Sequence, residues 1–102
     1  MTKNKIKKFI MKCIIEMGKK SPSSIRKFMK KNGVVGELDS TKSCPIANYI
    51  KKRTREKFKK TVKFDVMYSD LMFENGDYIS LPKNCEKFIE NFDDAKYKEL
   101  VK

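Results

Sequence analysis

The sequence predicts an α+β fold of three helices, a three-stranded antiparallel meander and one or two C-terminal helices, all within a single domain spanning residues 1–102. Three observations carry that expectation. Apolar residues recur at helical spacing in the first half, strict alternation sets in at Val62, and an Asn75-Gly76 pair separates two short apolar runs. The chain therefore divides into a helical part, 1–60, and a strand-hairpin-helix part, 61–102.

Ile6, Phe9, Ile10, Cys13, Ile14 and Met17 mark one face of a first helix from about Lys3 to Gly18, with Lys5, Lys8, Lys12 and Lys19 largely on the other. Ser21 before Pro22 supplies an N-cap and a first-turn proline for a second helix, whose apolar face is Ile25, Phe28 and Met29 and which ends at Asn32-Gly33. Val34 to Lys42 has neither period and reads as a connection. Ser43 or Cys44 before Pro45 opens a third helix on Ile46, Tyr49 and Ile50, and residues 54–61 suit either its continuation or a loop.

Val62, Phe64, Val66 and Tyr68 alternate with Lys63, Asp65 and Met67, as a strand with one buried face requires. Leu71 to Phe73 and Tyr78 to Leu81 flank Glu74-Asn75-Gly76-Asp77, a tight hairpin. After Pro82, the stripe of Cys85, Phe88, Ile89 and Phe92 predicts a helix, and Asp93 or Asp94 is placed to cap a short last one bearing Tyr97, Leu100 and Val101.

Seven Phe, four Tyr and 39% hydrophobic residues support one core, while 37% charged residues leave it lean, with mobile ends expected. The apolar stretch Phe9 to Ile15 is broken by Lys12, followed by Glu16 and lacks a small-residue cleavage site, so it does not read as a signal peptide. No segment approaches the roughly 18 uninterrupted apolar residues of a membrane span. Cys13, Cys44 and Cys85 form no CxxC, and there is no His, which argues against a disulfide framework or a common zinc site and for a reducing cytoplasm.

The net charge of +12 is polarised. Residues 1–60 hold nineteen Lys or Arg against four acids, a balance of +15, and residues 61–102 hold six against nine, a balance of −3. Such a field attracts nucleic acid, an anionic membrane or an acidic protein surface.

No catalytic apparatus is legible. With no His, acid–base work falls to dispersed carboxylates, Lys, Tyr or Cys, and no phosphate-cradling glycine loop or nucleophile elbow occurs, so an enzyme, a cofactor or a small-molecule substrate is not expected. Cys44 has two readings. At a helix N-terminus near Lys42 its thiol pKa would fall, and as a small buried group beside Pro45 it would be inert, which is the preferred reading.

The basic run after Ile50 is the best functional candidate, since successive flexible cations neutralise phosphates and release counterions; its simpler alternative is a solvated helix end. Lys51, Lys52, Arg53, Arg55, Lys57 and Lys59, with Lys8 and Lys12 of the first helix, are the expected nucleic-acid-binding residues. The separation of the second and third helices by Asn32 to Ser43 is too long for a standard helix-turn-helix, and a winged arrangement would carry Glu74 and Asp77 on its wing. The first helix also suits an anionic membrane surface, although its six apolar positions are better explained as core.

Several of these segments resemble a family of small bacterial and phage proteins with no assigned activity. The pattern is Gly33 to Gly36, the Cys44-Pro45-Ile46-Ala47-Asn48-Tyr49-Ile50 run, Leu81-Pro82, Phe88 to Asp93 and Tyr97 to Leu100, within residues 22–101. The resemblance implies an ordered compact fold and a phage or mobile-element accessory role, and carries over no site. The Lys-rich first helix and the basic stretch Lys51 to Lys60 depart from it. Two functions are therefore expected: a non-catalytic module on nucleic-acid backbone, or an accessory protein that inhibits a host protein by docking on its acidic or nucleic-acid-binding surface.

Overall fold

Two helix starts are built alike, from a side-chain acceptor followed by proline. In the computed structural model, which describes residues 2–102 and side chains from Asn4 onward, Ser21 Oγ accepts from the Ser24 N–H (3.2 Å) and Cys44 Sγ from the Ala47 N–H (3.5 Å). These caps open α2 (Pro22–Lys31) and α3 (Pro45–Phe58), which follow α1 (Thr2–Gly18). The helix-or-loop alternative after residue 54 resolves as helix through Phe58. Thr54 is fully buried and its hydroxyl donates to the Ile50 carbonyl (2.7 Å), Phe58 meets Phe9 edge-on (5.6 Å), and Lys59 ends α3 in a left-handed conformation (φ 57°).

The antiparallel sheet β1 (Phe64–Val66), β2 (Asp70–Phe73), β3 (Tyr78–Ser80) has the expected meander order. Its register pairs Phe64 with Phe73, Val66 with Leu71 and Leu71 with Ile79 on the core side, and Asp65 with Met72 and Met72 with Tyr78 on the outer side. Gly76 (φ 96°) turns the hairpin, helped by the Asn75 side chain accepting from the Asp77 N–H (2.9 Å). The first strand is shorter than its alternation predicts. The Met67 N–H already donates to the Asp70 carbonyl (2.7 Å), so the chain turns at once and Tyr68 points outward, its hydroxyl donating to Glu90.

After α4 (Lys83–Asp93) the expected last helix is only a 3-10 turn, Lys98–Leu100. Ala95 takes a positive φ (61°), and the Asp93 carboxylate accepts from the Asp39 N–H (3.0 Å) instead of capping a following helix. Tyr97 still stacks on Phe88 (5.2 Å) and Leu100 is buried.

Buried side chains from every one of these elements form one cluster. In α1 the predicted apolar face is inside, with Ile6, Ile10, Cys13, Ile14 and Met17 buried. The α1 C-terminus is tied to the start of α4 at Gly18, whose missing Cβ would lie 2.4 Å from Pro82 Cγ and whose carbonyl accepts from the Asn84 side chain (2.9 Å).

The connection between α2 and α3 makes a close crossing of backbone on backbone. A Cβ on Gly36 would lie 2.5 Å from the Pro45 nitrogen and 2.6 Å from the Ser43 carbonyl oxygen. On its other side Gly36 forms a parallel bridge with Val101, its N–H donating to Leu100 and its carbonyl accepting from Lys102 (both 2.8 Å). Asn48 braces the same loop by donating to the carbonyls of Val35 (2.8 Å) and Ser43 (3.1 Å). The Cys44 to Ile50 run thus works structurally.

Gly36→Ala will press a methyl against backbone and lower stability by about 1–3 kcal/mol, read as a fall in urea midpoint at unchanged slope. A second expectation concerns pH. Arg26 grips Glu99 through two hydrogen bonds, one of 2.8 Å from Nη2, and holds its carboxyl down at about 2. A depressed carboxyl stabilises the fold above its unfolded pKa of about 4.3 and loses that contribution as pH falls toward 2. Between those values the urea midpoint will fall more steeply for the native chain than for Glu99→Gln.

Candidate nucleic-acid interface

Tyr49, Arg53 and Lys57 occupy successive turns of α3, the spacing at which helix side chains touch. Arg53 Nη1 donates to the Tyr49 hydroxyl (2.9 Å), and that bond raises the guanidinium pKa further. Across the seam with α1, the Arg53 guanidinium lies 5.8 Å from the Phe9 ring centre and Lys57 Nζ 5.4 Å from it. Lys57 is also 5.9 Å from Phe58. Two cations are thereby held against aromatic faces while remaining exposed, each contact contributing about 0.5–1 kcal/mol.

The other expected contacts spread around this seam. Lys8 and Lys12 are exposed on α1. Lys51 turns toward the sheet, donating to the Lys42 carbonyl (2.6 Å) with Nζ 5.8 Å from the Phe64 ring centre. Lys52 reaches the C-terminal end of α2, donating to the Asn32 carbonyl (3.2 Å), where a helix dipole favours a cation. Arg55 and Lys59 are exposed. The cluster that is continuous in sequence therefore fans around α3, and Arg53 and Lys57 are the members that meet an α1 ring among the described residues.

Most cations, these eight included, stand outside ion pairs among the described residues. Among the described residues the ion pairs are Lys7–Asp77, Arg26–Glu99, Lys42–Asp65 and Lys87–Glu90, and none uses any of the eight expected cations. Some carboxylates are occupied elsewhere, Asp65 being lowered in pKa by hydrogen bonds from Lys42 and Thr41 and Glu90 by that from Tyr68, whereas Glu16 on α1 and Glu56 on α3 lie exposed beside the basic residues.

A groove of about 240 Å³ adjoins the seam and shares Arg53 with it. Cys13, Glu16, Met17 and Lys20 line one side, Phe28 and Tyr49 the other. Phe28 and Tyr49 meet edge to face at 5.1 Å, and Lys20 Nζ sits 5.1 Å from the Phe28 ring centre. A second cavity of about 300 Å³ lies between the start of α1 and the hairpin, where Lys7 and Lys63 face Glu74 and Asp77, so it has no preference for a polyanion. The same two acids make the hairpin unsuited to touch phosphate.

Phe9, Lys20, Phe28 and Tyr49 were not among the expected contacts. Only the spacing Tyr49-Arg53-Lys57 was visible beforehand; the meeting with Phe9 joins residues more than forty positions apart.

The two readings of Cys44 separate on burial, since the thiol is 2% exposed and desolvation pushes its pKa up to about 11, outweighing the amide hydrogen bonds at the helix start. Burial likewise raises Cys13, against the opposing charge of Arg53, and Cys85, to about 12. Among the described residues no cluster of His, Cys, Asp and Glu is suited to a metal ion, and no helix is long and apolar enough to cross a membrane. No protein-family model, curated protein or solved structure matches the chain.

Native protein at neutral pH will therefore react with a thiol reagent at neither Cys44 nor Cys85 on the minute scale, and at all three cysteines in denaturant. Rapid native labelling at Cys44 would overturn the inert assignment.

Proposed function

We propose that this protein is a non-catalytic module that binds nucleic-acid backbone through α1 and α3, with Lys8, Lys12, Lys51, Lys52, Arg53, Arg55, Lys57 and Lys59 as the phosphate contacts. The observation that carries the reading is that α1 and α3 hold all eight cations, none in an ion pair among the described residues, and meet at a seam where the exposed Arg53 and Lys57 lie against Phe9. Exposed unpaired cations lose little on meeting phosphate and gain the entropy of released counterions. The acidic hairpin restricts contact to the helical side.

A second reading, docking on a host protein in the accessory role the resemblance implies, has one observation of its own. Met67, Tyr68, Met72 and Tyr78 are exposed around the sheet, each by 41–59%, and tyrosine and methionine are enriched at protein interfaces. Nuclease treatment separates the two, because a partner bound through this patch survives it and one bridged by nucleic acid does not.

Binding to DNA or RNA is expected to weaken steeply between about 50 and 200 mM salt. Replacing Lys51, Lys52, Arg55 and Lys59 by Gln will reduce the salt slope by about one for each phosphate left without its cation, whereas Lys83 and Lys87 to Gln on α4 will leave it unchanged. No retention on either polymer at low salt would dispose of the proposal.

A further inference from the structure

We propose that the groove between α1, α2 and α3 receives one unstacked nucleobase, so that the strand held by the basic face is single and amine-bearing bases are preferred to thymine and uracil. The inference rests on the nucleic-acid reading above and adds to it a strand state and a base preference.

Three features of the groove carry it. At about 240 Å³ it lies below the roughly 300–1,000 Å³ of pockets for drug-sized ligands, a size suited to one heteroaromatic ring. Its lining includes the half-buried ring of Phe28, packed edge to face on the largely buried Tyr49, and the largely buried Met17, together with the cations Lys20 and Arg53. Aromatic surface beside a basic track is how single strands are held without a duplex, because bases in a double helix keep their faces covered.

Continuity with the basic face supplies the second step. Arg53 lines the groove and also lies over Phe9 at the α1–α3 seam, so a strand whose phosphates follow the seam brings a base to the groove mouth. Lys20 lies over the Phe28 ring, a place its long flexible stem can vacate for a base while its ammonium stays near a flanking phosphate.

Glu16 supplies the preference. It is the only carboxylate lining the groove, it is exposed, and it enters no ion pair among the described residues although Lys20 and Arg53 share the lining. A carboxylate accepts from the exocyclic amine of cytosine or adenine, whereas thymine and uracil offer a carbonyl oxygen there, which repels it.

The test is fluorescence anisotropy of the full chain with labelled oligo(dC), oligo(dT) and a mixed-sequence duplex at about 50 mM salt. Oligo(dC) is expected to bind about tenfold tighter than oligo(dT), and Glu16→Met to bring that ratio to one. Phe28→Leu is expected to lower the ratio of single-strand to duplex affinity about tenfold, with Phe28→Tyr restoring it. Equal binding of oligo(dC), oligo(dT) and duplex would overturn the groove assignment and leave the basic face standing. Glu16 lies exposed on a helix, so its ratio remains a readout even if Phe28→Leu fails to fold. Failure of all three polymers to bind would overturn the basic face and this inference with it.

Discussion

No side chain fits at Gly36, because the chain there runs between the start of α3 and the last residues, and a Cβ would lie 2.5 Å from the Pro45 nitrogen and 2.6 Å from the Ser43 carbonyl oxygen. Several elements are fixed through that crossing. Leu100 and Lys102 pair with Gly36 on one side, Ser43 accepts from Glu37 on the other, and Asn48 holds the carbonyls of Val35 and Ser43 in place. The same connection reaches the sheet through the Val66 N–H to Thr41 bond (2.7 Å) and α4 through Asp39 and Asp93. A segment without regular structure thus sets the position of α3, and with it every cation that α3 carries.

That architecture also explains where the charge ends up. Carboxylates of the C-terminal part are spent on structural contacts: Glu99 on Arg26, Asp65 on Lys42 and Thr41, Glu90 on Tyr68 and Lys87. Exposed pairs of this kind contribute about 0–1 kcal/mol each, so their effect on stability is small. On the surface they neutralise a few cations, with Lys7 of α1 also meeting Asp77, and leave the others on α1 and α3 outside ion pairs among the described residues. A protein with surplus cations on one side has a surface suited to a polyanion whatever its net stability.

Aromatic rings shape that surface further. Phe9, Phe58, Phe28 and Tyr49 run in edge-on pairs from the α1–α3 seam to α2, and Lys57, Arg53 and Lys20 lie over them. Rings so placed bury their edges in the core and leave part of their faces to cations, which limits the rotamers of otherwise flexible side chains.

Much of the fold was legible beforehand because its signals are local. Ser21-Pro22 and Cys44-Pro45 start helices through their own backbone amides, Asn75-Gly76 turns a hairpin through its own dihedrals, and the α1 stripe is a matter of period. The misreadings have a tertiary cause. Tyr68 satisfies the alternation yet faces Glu90, because the turn after Val66 is fixed by pairing with β2, and Asp93 resembles a cap yet is taken by Asp39, fifty-four residues away. Of the candidate site, the sequence by itself determined which residues are cationic and that they crowd the first sixty positions. Only the tertiary structure decided that Arg53 and Lys57 meet Phe9, that Lys51 reaches the Lys42 carbonyl and Lys52 the Asn32 carbonyl, and that Glu16, Phe28 and Tyr49 share a groove. Charge and period are properties of short segments, whereas a site depends on which distant side chains packing brings together.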